Sequence, residues 1–104
     1  MVKIDIVKKQ GLFHSFLIKG HANSNELGKD LVCSGLTAIT TGFMNSLDNL
    51  FPKQTKLLAK QGYVLIKILV NSDNIQLSSK IFYYQLLTIY QQNKQFINWK
   101  EFEE

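Results

Sequence analysis

Residues 30–50 read DLVCSGLTAITTGFMNSLDNL. Within them Val32, Leu36, Ile39, Phe43, Leu47 and Leu50 recur every three or four positions, the period of a helix that buries one stripe. Pro52 follows and cannot continue such a helix. The spacing therefore predicts a helix of about 20 residues, roughly 30 Å long, with Asp30 as its N-cap and Cys33 in its first turn. Gly35, Ala38 and Gly42 make a second face of small residues. A glycine inside a helix costs about 1 kcal/mol relative to alanine, so two of them imply another element packed close to the backbone.

Working outward, residues 2–7 place Val2, Ile4 and Ile6 opposite Lys3 and Asp5, the alternation of a half-buried strand. Lys8 to Gly11 read as a turn, and Phe13 to Lys19 as the second strand of an antiparallel hairpin. Residues 20–29, polar and bracketed by Gly20 and Gly28, read as a loop. Beyond the long helix, Thr55 to Lys60 and Tyr63 to Val70 flank Gln61-Gly62 as another hairpin. The segment from Ile75 to about Gln92 is helical and apolar nearly all round, with Asp73 and Gln76 spaced as a capping pair. Phe96 to Lys100 alternate as a last strand, followed by an acidic end expected to be disordered from Glu101. The expected order is ββαββαβ, an α+β fold with a small, mostly antiparallel sheet layered with two helices.

The chain has 104 residues, 45% hydrophobic, and a formal charge of +4. That suffices for one core, so a single domain over residues 1–104 is expected. No apolar run approaches the roughly 20 residues of a membrane span, and the N-terminus lacks the pattern of a secretion signal. One cysteine excludes an internal disulfide and points to a reducing compartment, most simply the cytoplasm. All 12 basic residues are lysines, scattered along the chain. Without guanidinium forks this argues for a solvated surface and against direct nucleic-acid binding.

Cys33 is the only strong nucleophile. In a first helical turn, unpaired backbone N–H groups and the helix dipole favour the thiolate. His21 lies across a short loop, where an imidazole can take the thiol proton and later protonate a leaving amine; N–H groups at the helix start could supply an oxyanion site. Thr37 falls near Cys33 and Asp30 on the helical wheel, whereas His14, inside a strand, reads as structural. Each feature also has a plainer account. Cys33 can be a small buried apolar residue, Asp30 only a cap, Thr37 a hydroxyl bonded to its own backbone, and Gly20 and Gly28 only turn formers. His21, Glu26 and Asp30 could instead ligate a metal, but one histidine in a sparse loop makes a poor site, and neither metal nor cofactor is expected.

The string Gly20-His21-Ala22, then Gly28-Lys29-Asp30-Leu31-Val32-Cys33-Ser34-Gly35-Leu36-Thr37-Ala38, closely resembles the ribosomal-processing cysteine protease family, Prp. That family has Gly-His-Ala at a strand end, a short loop, Gly-x-Asp-Ile-Val-Cys-Ala, and a serine four residues past the cysteine. Leu31, Ser34 and Thr37 stand where it usually has isoleucine, alanine and serine. The resemblance implies that His21 and Cys33 are the catalytic pair, that Asp30 and Thr37 support them, and that Gly20 and Gly28 bracket a mobile loop. It further implies a homodimer that removes the N-terminal extension of the large-subunit ribosomal protein L-twenty-seven precursor, cutting after a pair of phenylalanines. The competing class is a small basic, ribosome-associated or regulatory dimer without enzymatic activity. The all-round apolar helix leads to the same expectation of a dimer, with Phe82, Tyr83 or Tyr90 at the contact.

Overall fold

The computed structural model describes residues 1–20 and 27–104, residues 27–30 by backbone alone. Its elements are β1 (Val2–Lys9), β2 (Leu12–Lys19), α1 (Leu27–Leu50), β3 (Thr55–Lys60), β4 (Tyr63–Ile68), α2 (Asp73–Gln92), a short 3-10 turn (Lys94–Phe96) and β5 (Ile97–Glu103). The expected ββαββαβ order and α+β class hold. The strands form one sheet in the order β3-β4-β2-β1-β5, antiparallel except where β5 runs parallel to β1.

Helix α1 joins the parallel strands β2 and β3, and α2 joins the parallel strands β4 and β5. The two crossovers start from antiparallel strands and run in opposite directions across the sheet, so the right-handed rule puts both helices on one face. The core shows this directly. The Phe16 ring of β2 meets Phe43 of α1 at 6.1 Å and Phe82 of α2 at 5.1 Å, and those two rings stack at 4.3 Å. Val2, Ile4, Ile6, Ile66 and Ile97 complete the buried sheet face beneath the helices.

Several local expectations change. Helix α1 begins at Leu27, so Gly28 lies inside its first turn, not in a loop, and Asp30 is not the N-cap. Ser72, not Asp73, caps α2, its hydroxyl accepting from the Ile75 N–H at 3.2 Å. Gln76 is freed from the expected capping pair and bonds Phe13 instead. The acidic end is ordered: β5 continues to Glu103, and Glu104 exchanges backbone bonds with Lys8 and Gln10. Parallel pairing with β1 supplies the partners that local composition did not reveal. The small-residue face is half filled, since Ile89 approaches the Gly35 backbone while Gly42 faces open space.

Phe82 also departs from its expected place, because it is 1% exposed in the core and cannot reach a second subunit. Tyr83 and Tyr90 are half-buried, each packed against Trp99 of β5. The solvent side of α2 instead carries Leu77, Ile81 and Tyr84, all exposed and spaced as one helical stripe.

Candidate active site

Cys33 is half-buried and lines a mostly apolar cleft of about 360 Å³ between α1 and the β3–β4 hairpin. The α1 wall carries a row at intervals of four, three and four, Cys33, Thr37, Thr40 and Met44, flanked by Leu36 and Thr41. At 1.5 Å per residue that row runs about 16 Å, close to the length of five residues of extended peptide. Lys60, Gln61, Gly62 and Tyr63 of the hairpin line it from the other side, and Gly20 and Val2 line it as well. Lys60 is the one charged residue among the described residues of the cleft.

The structure thus brings together three of the residues singled out from the sequence, Cys33, Thr37 and Gly20. Thr37 is exposed, one turn beyond the thiol. His21 and residues 22–26 of the loop expected to be mobile over residues 22–29 lie outside the described residues, as do the Asp30 side chain and the alternative metal set of His21, Glu26 and Asp30; residues 27–29 of that expected loop are instead part of α1. Among the described residues no three metal-ligating side chains cluster.

One chemical expectation is corrected by the earlier helix start. Only the first four N–H groups of a helix lack an internal partner, here those of residues 27–30. Cys33 is the seventh residue of α1, in its second turn, so the unpaired amides do not lie beside its sulfur. Activation by the helix start, and an oxyanion site built from it, lose the geometry they needed.

His14 is remote from the cleft, in β2, and does not line it. Burial, reinforced by Lys9 and Lys67, lowers its pKa, which favours the neutral ring and fits a structural role. Sequence reading missed the hairpin wall altogether. The signal for the α1 wall was present in the four-residue stride from Cys33 through Thr37 to Thr41.

A half-buried thiol lining an apolar cleft, with no carboxylate among the described lining residues, is an arrangement that suits a cysteine-dependent enzyme acting on an extended chain. The sequence model of the family described as "Cysteine protease Prp" matches residues 1–98, and the chain belongs to that family. A ribosomal processing cysteine protease Prp of Bacillus subtilis is 52% identical over 33 residues, a stretch covering 32% of this chain and 30% of that relative's length. The solved structure of an essential ribosomal processing protease Prp from S. aureus with a substrate peptide is similar at TM-score 0.88 and 25% identity, over 97% of this chain and 99% of that one. The same protease with a covalently linked product peptide gives TM-score 0.85 and 26% identity over the same shares. A Streptococcus mutans protein, SMU.848, shares the fold at TM-score 0.87 and 22% identity, over 100% of this chain and 96% of its own.

Proposed function

We propose that residues 1–104 act as one cysteine endopeptidase domain in which Cys33 is the nucleophile and His21 the general base. The observation that carries this reading is the half-buried Cys33 thiol lining the apolar cleft, in a chain that belongs to the cysteine protease Prp family. The imidazole takes the thiol proton as sulfur bonds to the scissile carbonyl carbon. It returns that proton to the amine as the C–N bond breaks, leaving a thioester. Water, deprotonated by the same imidazole, then cleaves the thioester to a carboxylic acid and the free thiol. Asp30 orients the imidazolium, and Thr37 offers a hydroxyl beside the sulfur.

The substrate is the precursor of the large-subunit ribosomal protein L-twenty-seven, cut in the cytoplasm after adjacent phenylalanines. The length and apolar lining of the cleft support an aromatic, extended peptide. The exposed stripe of Leu77, Ile81 and Tyr84 supports a homodimer formed through α2. Incubating the chain with a peptide that spans the precursor's N-terminal extension, and locating the scissile bond by mass spectrometry, tests the reading. Cleavage after the phenylalanine pair that disappears in Cys33→Ala is the expected outcome; turnover by Cys33→Ala refutes it.

A further inference from the structure

Both helices pack on one face of the sheet, and no described element covers the other. Ile4, Ile18, Leu57, Ile66 and Trp99 pack into the core, one from each strand. Alternation therefore turns their neighbours Lys3, Lys19, Lys56, Lys67 and Lys100 toward the open face. Asp5 is the one carboxylate that the same alternation places there among the described strand residues. It pairs with Lys3 at 3.4 Å and stands opposite Lys100 in the register. Among the described residues no ion pair offsets Lys19, Lys56 or Lys67. Lys3 lies directly opposite Lys19, and Lys56 directly opposite Lys67, and like charges so placed destabilise a sheet. The positive field reaches His14 of β2, whose pKa is lowered by burial and then by Lys9 and Lys67.

We propose that this open face binds the phosphate backbone of single-stranded RNA. This departs from the sequence-based expectation, which took the lysines as scattered; the sheet brings them together. The members of each lysine pair are about 5 Å apart, and the two pairs are separated by about 13 Å along the strand direction. Between them Leu17, Leu65 and Leu58 stand in register across β2, β4 and β3, an apolar strip against which unstacked bases can lie. A phosphodiester backbone carries a charge at every nucleotide, so one strand can neutralise both pairs. Lysine makes this contact as a point charge, and without arginine forks the face reads backbone and not base edges. A second copy of the same face is disfavoured by repulsion of like charges. Leu17 and Leu65 are half-buried among the lysines and do not protrude as insertion into a bilayer requires. The choice of RNA as the polyanion rests on the ribosomal-protein substrate proposed above, since ribosomal proteins assemble on RNA; the charge argument does not depend on it.

Fluorescence anisotropy of a labelled oligouridine tests the proposal. The parent is expected to bind with a Kd of about 1–100 µM at physiological salt, more weakly as salt rises. Lys19→Glu with Lys67→Glu turns both like-charge pairs into opposite-charge pairs, so the melting temperature of that variant is expected to equal or exceed the parent's. Its affinity for the oligouridine is expected to fall by at least about tenfold, and its slope of log affinity against log salt to become shallower by about 1.4. Should it not fold, Lys56→Gln with Lys100→Gln, both exposed on the two edge strands, is measured instead, with a loss of the same sign. The proposal is overturned by a parent that does not bind at low salt, or by a charge-reversed variant that binds as tightly as the parent. Tighter binding to polyglutamate or to phosphatidylglycerol vesicles than to RNA at equal charge concentration overturns it as well. Cleavage of the precursor peptide by the same parent preparation is scored separately: its absence removes the protease reading, while anisotropy decides the function of this face.

Discussion

The side chain of Gln76 closes both backbone bonds of Phe13: its Oε1 accepts from the Phe13 N–H at 2.8 Å and its Nε2 donates to the Phe13 carbonyl at 2.9 Å. An amide on the first turn of α2 thereby serves as the strand neighbour that Phe13, paired with Lys8 of β1, lacks on its other side, where the β2–β4 pairing starts only at Ser15 with Lys67. Each such bond contributes about 1 kcal/mol, and leaving the part-buried groups unpaired adds to the loss. Gln76→Ala is therefore expected to lower stability by about 2 kcal/mol in urea unfolding and to leave peptide cleavage unchanged. A Gln76→Ala protein as stable as the parent contradicts this account.

The proposed catalytic pair, His21 and Cys33, is expected to act as a unit. His21→Ala and Cys33→Ala each reduce cleavage to background with melting temperatures near the parent's, and the double variant is no worse than either. Because α1 starts at Leu27, Asp30 no longer serves as a cap. Asp30→Asn thus costs at most about 1 kcal/mol through the helix dipole, and any larger loss appears in activity alone. Comparing kcat/KM with the melting temperature separates the two.

The cleft sets access independently of the thiol. Thr41 is exposed on the α1 wall, two turns beyond Cys33, so Thr41→Trp fills the cleft with little effect on the core. KM for the precursor peptide is expected to rise about tenfold or more, while iodoacetamide, small enough to bypass the obstruction, alkylates Cys33 at the parent rate. An unchanged KM places the peptide elsewhere.

Alkaline stability depends on the contact between α2 and β5. Burial, then the bond from its hydroxyl to Glu101, raises the Tyr83 pKa from 10.0 to about 12; Glu101 Oε2 also accepts from Trp99 Nε1 at 2.9 Å. Since the folded value is the higher one, the folded state holds its proton more tightly. The contribution is complete below pH 10 and is lost as pH rises toward 12. Tyr83→Phe is expected to flatten this decline, as measured by denaturant midpoints at about pH 9 and about pH 11.5. Parallel declines in the two proteins count against it.

Assembly and core separate on adjacent positions of α2. Ile81→Glu with Tyr84→Glu is expected to convert a dimer to a 12.0 kDa monomer in sedimentation without lowering the melting temperature. Phe82→Ala, by emptying a site between Phe16 and Phe43, costs about 3–5 kcal/mol. A parent protein that sediments as a monomer rules out the α2 interface.

Local periodicity by itself determined the order of five strands and two helices, the single core, and the placement of Cys33 and Thr37 on one side of α1, because alternation and the 3.6-residue repeat are properties of consecutive residues. It also carried the Gly-His-Ala and Cys33 strings that mark the family. The start of α1 at Leu27 was invisible, since a polar stretch without apolar spacing leaves no repeat from which to read a helix. Which side of an all-round apolar helix is buried was equally hidden, and only packing on Phe16 turned Phe82 inward and left Ile81 and Tyr84 outside. Glu101 looked like the beginning of a solvated tail, yet parallel pairing of β5 with β1 places it on the Trp99 face, beneath Tyr83. The hairpin wall of the cleft depends on β4 lying beside β2. That adjacency joins residues about forty positions apart, which no local repeat encodes, and it was decided by how the strands share one buried face.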